Sequence, residues 1–263
     1  MLVEDLHVAE SALVVTSVGE LLRRHPGEHR DELQRLLQRD DPAIVLASAL
    51  ALMGKAVADY GWFVRQDFTE LCARSKDDSL IRDALAALAQ LASDPTVRVN
   101  PGMYWFDPNP RTGAMQVLSA CPLPWGWDEQ RHRHQLENRN ETDGRVVAHL
   151  VRRVKLPLLS SYNPQPPELT PADRATLVAI WRRCLVAPLT RGTVLAMEEL
   201  IELHDVDSLP RLNQVLDHLR SGASGRPVPN GDDDKARLPW FSKYEVDELE
   251  KRLRTLSDPN VRP

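Results

Sequence analysis

Two stretches of the chain, DDPAIVLASALAL at residues 40–52 and DDSLIRDALAALA at residues 77–89, share one pattern that decides the predicted fold. In each, the second aspartate suits a helix N-cap, because a carboxylate accepts hydrogen bonds from the free N–H groups of the first turn. Between residue 40 and residue 77, a shift of 37 residues places Ile44 on Ile81 and Ala47 on Ala84. The apolar residues recur at helical spacing. Both stretches are therefore predicted to form helices of one repeated unit.

A second amphipathic segment, Phe63 to Ala73, lies between these two helices and completes a helical hairpin. The residues Asp94 to Arg98 and Asp258 to Arg262 share the form Asp, Pro, any residue, Val, Arg, and Asp78 to Arg82 resembles Asp207 to Arg211. A period of roughly 35 to 45 residues built from two helices is typical of an α-solenoid. The pattern predicts an all-α fold of stacked hairpins.

These residues resemble the HEAT-repeat family over residues 27–95 and, in part, over residues 188–221. The resemblance implies an Asp-Pro turn between the two helices of a repeat, an inward Val, and an Arg that reaches the Asp of a neighbouring repeat. The other interpretation is an irregular helical bundle in which Asp-Pro is merely a common cap and turn. Both interpretations give an all-α chain, and they differ in how the helices stack.

Composition and charge limit the classes of function. The chain has 263 residues, 42% hydrophobic and 27% charged, and a formal net charge of -5. This composition is ordinary for a globular protein, and an acidic balance disfavours a dedicated nucleic-acid binder. The three cysteines lie far apart, which indicates neither a disulfide framework nor a zinc finger. With no signal peptide at the N-terminus and no apolar run long enough to span a bilayer, we expect a cytoplasmic protein.

The predicted organisation has five parts. They are an N-terminal helical repeat domain at 1–156, a Pro-rich linker at 157–171, a helical region at 172–222, a mobile loop at 223–238 and a capping helix at 239–258. Within the first part, a helix is expected at residues 2–24, and a β-hairpin or extended loop is expected as an insertion near residues 97–121. Its strand-like runs are Val97 to Val99, Met103 to Phe106 and Met115 to Leu118, with a turn cluster from Asp107 to Gly113.

The candidate binding residues lie in and after the irregular segment 122–128. Its two tryptophans, Trp125 and Trp127, either fill a gap in the core or anchor a partner. The segment 129–155 is locally basic and contains Arg131, Arg133 and Arg139, which are either a solvated helix face or contacts for an acidic group. We take these five residues as the candidate partner-binding set.

No catalytic, cofactor or metal motif stands out. The chain has no glycine-rich phosphate loop, nucleophile elbow or HExxH motif, and His132 and His134 are spaced to face opposite sides of a helix. The predicted function is therefore a non-catalytic scaffold or adaptor for another protein, with no cofactor. The alternative is a HEAT-like nucleic-acid-binding protein or an alkylpurine DNA glycosylase. The resemblance implies that such an enzyme would use Trp, Asp and Arg residues in a basic concave groove. Three Trp residues here have an Asp nearby: Trp62 with Asp67, Trp105 with Asp107, and Trp127 with Asp128.

Overall fold

The computed structural model of the chain describes residues 30–52, 78–97, 110–160, 168–186, 189–223 and 243–257. These residues contain ten α-helices and one short 3-10 helix, with no strand among them, so the all-α prediction is confirmed for this part of the chain. The chain forms two compact units, Met1–His132 and Arg133–Pro263. None of the described helices has both the length and the apolar character needed to cross a membrane.

Several predicted features lie outside the described residues. They are the helix at 2–24, the segment Phe63 to Ala73, the first two strand-like runs beyond Val97, most of the linker at 161–167, the loop beyond Ala223 and the last Asp-Pro motif at 258–262.

The first unit contains α1 (Arg30–Leu36), α2 (Pro42–Leu52), α3 (Ser79–Ser93) and α4 (Pro110–Ala120). Helix α2 packs against α1, α3 and α4, and α3 also packs against α4. The position of α2 follows from its composition, because a helix that is apolar on all sides gains most when every face is covered. Its buried residues are Ala43, Val45, Leu46, Ala47, Ala49 and Leu50, together with Ser48, whose hydroxyl donates to the carbonyl oxygen of Ile44.

The two predicted aspartate caps are confirmed, and their geometry is almost the same. Asp41 Oδ1 accepts from the backbone N–H groups of Ala43 and Ile44 at 2.9 and 3.4 Å. Asp78 Oδ1 accepts from the N–H groups of the two residues at the matching positions at 3.0 and 3.4 Å. The equivalent residues Ala47 and Ala84 are both fully buried. The repeated sequence pattern therefore gives repeated local structure at these helix starts.

The predicted β-hairpin insertion is wrong in its described part. Met115 to Leu118, expected as a strand, lies inside α4, as does Gly113 of the expected turn. A run of four residues is too short to separate a strand from a buried helix segment. Pro110 is compatible with a helix here, because it stands at the first helical position and so loses no hydrogen bond. Helix α4 is buried on nearly every side, which explains why it shows no clear apolar stripe.

Helix α5 (Glu129–Glu137) contains the point at which the two units divide. The second unit continues with α6 (Gly144–Arg153), α7 (Pro171–Arg183), α8 (Arg191–Glu202), a 3-10 helix (Val206–Ser208), α9 (Leu209–Ala223) and α10 (Lys243–Ser257). Helix α8 is central here, since it packs against α6, α7, α9 and α10. The predicted start of α7 is confirmed, with Thr170 as the cap and Pro171 in the first turn, and Trp181 is fully buried as expected.

The start of α6 meets the start of α8 at two glycines. A Cβ atom on Gly144 would lie 2.1 Å from the carbonyl oxygen of Gly192, so only glycine allows this approach. The positive ends of two helix dipoles meet here, an arrangement that favours nearby negative charge. Asp143 caps α6, and the buried Glu141 accepts the N–H of Asp143 at 3.2 Å. The two carboxylates stabilise a contact that the dipoles alone would disfavour.

An arginine on α7 links that helix to the 3-10 helix. The Arg182 guanidinium donates to both carboxylate oxygens of Asp205, at 2.8 and 2.5 Å, and to Asp207 at 3.1 Å. The side chain of Asp205 is 6% exposed and that of Asp207 is 87% exposed, so the two bonds lie in very different surroundings. Asp205 also accepts from the hydroxyl of Ser208. This cluster fixes the start of α9.

The C-terminal helix α10 docks on its own unit. Its buried stripe is Val246, Leu249 and Leu253, and the helix packs against α8 and α9. Ion pairs border this apolar contact, because Arg220 of α9 binds Glu250 at 2.5 Å and Arg252 binds Glu202 of α8 at 2.5 Å. The predicted docking of this helix on the helical region before it is therefore seen.

Candidate partner-binding loop

The loop after α4, Cys121–Asp128, is called the tryptophan loop here, and three backbone hydrogen bonds fix its shape. The N–H of Gly126 donates to the carbonyl oxygen of Pro122 at 2.9 Å and closes a tight turn. The carbonyl oxygen of Leu118, at the end of α4, accepts from the N–H groups of Cys121 at 3.1 Å and Trp127 at 3.0 Å. The loop is therefore tied to the helix before it at both of its ends.

Position 126 requires glycine, because the backbone of the turn approaches it too closely for a side chain. A Cβ atom there would lie 2.3 Å from the carbonyl oxygen of Cys121, far inside van der Waals contact. Because that oxygen belongs to the backbone, a larger residue would have to open the turn. The sequence fragment Trp125-Gly126-Trp127 therefore brings the chain sharply back toward α4.

Trp127 is the core anchor of this loop. Its side chain is 5% exposed, and its indole N–H has no hydrogen-bond partner among the described residues. The ring of His132 meets the indole edge to face, with 5.4 Å between ring centroids and 77° between planes. Such an arrangement places the positive ring edge on the negative ring face. The sequence left two roles open for Trp127, filling a gap in the core or anchoring a partner. Its burial matches the first role.

His132 joins the loop to α4 through both ring nitrogens. Its Nδ1 lies 2.6 Å from the carbonyl oxygen of Asp128, and its Nε2 lies 3.1 Å from Ser119 Oγ on α4. The hydroxyl of Ser119 is itself 2.6 Å from the carbonyl oxygen of Met115. A buried histidine with two partners holds the start of α5 against the end of α4. The sequence alone did not assign His132 this role, because its partner Ser119 lies on another helix and is brought near only by the fold.

Arg131 covers the outer side of the anchor. Its guanidinium carbon lies 5.2 Å from the centroid of the Trp127 ring, which is cation–π distance, while the side chain remains exposed. The backbone N–H of Arg131 donates to Asp128 Oδ1 at 2.8 Å, so Asp128 caps α5. The structure thus brings Trp127 and Arg131 together, as two of the five candidate residues.

The tip of the loop carries the exposed apolar surface. Leu123 is 80% exposed, its neighbours Pro122 and Pro124 are exposed, and Trp125 is half-buried. Leu123 was not among the candidate residues, although its position between two prolines was a usable signal. Proline lacks an N–H group, so such a segment joins regular structure poorly and tends to lie at the surface.

The other two candidate residues, Arg133 and Arg139, belong to the second unit. Both are exposed. Arg139 lies in the turn after α5, and Arg183 of α7 holds that turn by donating to the carbonyl oxygens of Leu136 at 2.9 Å and Asn138 at 2.7 Å. The turn is therefore ordered by contacts within its own unit.

The described residues hold no group of three or more His, Cys, Asp or Glu side chains arranged for a metal ion. Of the three Trp–Asp pairs considered for a glycosylase, the two that involve Trp62 and Trp105 lie outside the described residues. In the third, Trp127 is buried and Asp128 caps a helix, so both side chains serve local structure. Comparisons of the chain with protein-family models, with curated proteins and with solved structures gave no match.

Proposed function

We propose that the chain is a non-catalytic, HEAT-like helical scaffold that binds another protein through the tip of the tryptophan loop. The observation that carries the proposal is the contrast within this loop between a buried base and an exposed apolar tip. Trp127 is 5% exposed, whereas Leu123, four residues earlier, is 80% exposed. Leu123 and its exposed neighbours Pro122 and Pro124 offer apolar surface that a partner could bury.

The fixed geometry of the base supports the proposal. Hydrogen bonds from Gly126 and Trp127 and the two contacts of His132 order the loop before any partner arrives. A loop that is already ordered loses less conformational entropy on binding than a flexible one. The tip is therefore suited to act as a pre-organised anchor.

The scaffold part of the proposal is supported by the repeated caps. Asp41 and Asp78 make matching hydrogen bonds at the starts of α2 and α3, and these helices pack on each other. Stacked helical hairpins leave surfaces exposed on which partners can bind. A cytoplasmic location and a protein partner are parts of this proposal.

The test places a photo-crosslinking amino acid at position 123 and, in a matched control, at Tyr244, which is 77% exposed on the second unit. After irradiation in an extract of the native host, we expect a discrete crosslinked protein from position 123 and none of that mass from position 244. Adding excess unlabelled wild-type chain should remove the crosslink, whereas excess Leu123→Asp chain should not. The proposal fails if position 123 gives no competable crosslink or if both positions trap the same products.

A further inference from the structure

The buried side chain of His132 connects the base of the tryptophan loop to the end of α4. It is 2% exposed, and both of its ring nitrogens lie within hydrogen-bond distance of a neighbour. Its Nδ1 lies 2.6 Å from the carbonyl oxygen of Asp128, the last residue of the loop, and its Nε2 lies 3.1 Å from Ser119 Oγ. A titratable group thus stands at the point where the loop is attached.

The two partners fix which hydrogens the neutral ring carries. A carbonyl oxygen only accepts, so Nδ1 carries the hydrogen that it donates to Asp128. In the neutral ring, Nε2 then has only a lone pair and accepts the hydroxyl hydrogen of Ser119. Protonation adds a hydrogen to Nε2, so the hydroxyl hydrogen must turn away, and the carbonyl oxygen of Met115, 2.6 Å from Ser119 Oγ, is there to accept it.

Burial makes the charged ring unfavourable while the loop is attached. A fully buried histidine binds a proton up to about a thousandfold more weakly than an exposed one, because the cation has to leave water. The first turn of α5 acts in the same direction, since the helix dipole disfavours positive charge there. So does Arg131, whose guanidinium carbon lies 5.2 Å from the centroid of the same Trp127 ring that His132 meets.

Other groups on the described elements around His132 favour the cation, but by less. Asp128 and Glu129 begin the same helix, and both are exposed, so water screens their charges. The aromatic face of Trp127 and the dipole at the end of α4 also attract positive charge, and each of these effects changes proton affinity by about tenfold or less. Helix α4 carries one charged residue, Arg111, near its opposite end, and the loop contributes the buried thiol of Cys121. Burial therefore decides the sign.

We propose that His132 makes the tryptophan loop a pH-sensitive latch, which is closed while the ring is neutral and opens more often once the ring can take up a proton. In the closed loop the N–H of Trp127 donates to the carbonyl oxygen of Leu118. When this base leaves α4, the ring of His132 meets water and takes up a proton near pH 6.5, as an ordinary histidine does. Because the open form binds the proton more tightly, acid shifts the population toward it. The latch requires no partner, so it stands apart from the proposed function.

Hydrogen exchange measured by NMR reports this opening, because the backbone N–H of Trp127 exchanges only when its bond to Leu118 is broken. The experiment compares the protection of this amide at about pH 7.5 and about pH 5.5, after correction for the intrinsic pH dependence of exchange. In the wild-type chain we expect protection to be about tenfold lower at the acid pH, the ratio for one proton taken up near pH 6.5. The amide of Leu88, in the core of the first unit, is the reference for opening of the whole unit.

Two variants assign the effect to His132. His132→Gln does not titrate, so the tenfold change at Trp127 should disappear. His134→Gln removes a histidine from an exposed position of the same helix and should leave the change in place. Because His132→Gln also loosens the loop at every pH, the quantity compared is the ratio of the two protection factors in each variant.

Ring nitrogen chemical shifts of His132, assigned by their loss in His132→Gln, give its charge directly. We expect a neutral ring with its hydrogen on Nδ1 at about pH 7.5. A ring that carries both hydrogens at that pH would overturn the proposal, as would an unchanged protection ratio in His132→Gln. An equal loss of protection at Leu88 that depends on His132 would also overturn it, because proton uptake would then act on unfolding of the whole unit rather than on the loop.

Discussion

The buried carboxylate of Glu199 accepts both hydrogen bonds that Ser160 can donate, from its backbone N–H at 2.9 Å and from its hydroxyl at 2.5 Å. The other oxygen of Glu199 accepts the N–H of Leu159 at 3.0 Å. Glu199 lies in the last turn of α8, the central helix of the second unit. Residues 159 and 160 belong to the Pro-rich segment predicted as a linker. The first residues of that segment are therefore fixed to the core.

Replacing this carboxylate by an amide should destabilise the protein. Glu199→Gln keeps the shape but places an NH2 group where one of the donors must be accepted, and it removes the charge that strengthens the three bonds. We expect a loss of about 1–3 kcal/mol in the free energy of unfolding, measured by urea denaturation. The matched control is Glu168→Gln, which removes the same charge from an exposed position. Equal effects of the two substitutions would contradict the assigned role of Glu199.

Replacing Gly144 by alanine should destabilise the protein, although the same exchange usually stabilises a helix. Gly144→Ala places a methyl group 2.1 Å from the carbonyl oxygen of Gly192, so α6 and α8 must separate. We expect the free energy of unfolding to fall by about 1–3 kcal/mol, the range for overpacked sites, even though alanine is the better helix former.

The control for this prediction is the reverse exchange at an exposed helical position. Ala175→Gly on α7 should lower the free energy of unfolding by about 1 kcal/mol through the lower helix propensity of glycine alone. If Gly144→Ala were instead stabilising in thermal unfolding, the close approach of the two helix starts would be refuted.

The carboxyl group of Asp205 should make the free energy of unfolding depend on pH. Burial opposes its ionisation, but hydrogen bonds from Arg182 and Ser208 and the charge of Arg182 outweigh that effect and hold the pKa of Asp205 below its ordinary value of 3.8. Because the folded pKa is lower than the unfolded one, the stabilisation is complete above pH 3.8 and is lost as the pH falls through the folded pKa.

Urea denaturation of wild type and Asp205→Asn at several pH values measures this contribution. At neutral pH we expect the variant to be less stable by about 1–3 kcal/mol. The difference should shrink as the pH is lowered below 3.8. The neighbouring Asp207, which shares Arg182 but is exposed, provides the control, and Asp207→Asn should change stability by less than about 1 kcal/mol. A difference between wild type and Asp205→Asn that grows toward acid would have the wrong sign.

Local signals in the sequence predicted the parts of the fold that local chemistry decides. Asp41, Asp78 and Thr170 cap helices because each needs only the next three residues of the chain. The contacts of Glu199 with Ser160 and of Gly144 with Gly192 join residues far apart in sequence, and no short motif marks them. These contacts could be recognised only once the helices were placed.

The difference between local and long-range contacts also explains how much of the candidate site could be predicted from the sequence. The irregular character of the tryptophan loop followed from its prolines, but the division between a buried Trp127 and an exposed Leu123 depends on the end of α4, which supplies the Leu118 carbonyl oxygen. The strand-like residues of α4 misled the prediction for the same reason. Val117 suits a strand by type, yet here Val117 and Met115 are both buried in a helix that other helices surround. The neighbours of a segment, rather than its own residues, decided both outcomes.

The two Asp-Asp pairs of the sequence give the last prediction, because Asp41 and Asp78, the second residue of each pair, cap their helices. Asp41 accepts two backbone N–H groups, whereas Asp40 is exposed and lies outside the helix start. Asp41→Ala should therefore lower the free energy of unfolding by about 1 kcal/mol, and Asp78→Ala should do the same at the equivalent position. Asp40→Ala removes the same charge and should have little effect. Guanidinium denaturation of the three variants measures the difference, and a loss at Asp40 equal to that at Asp41 would show that charge, rather than capping geometry, explains the repeated Asp-Asp pattern.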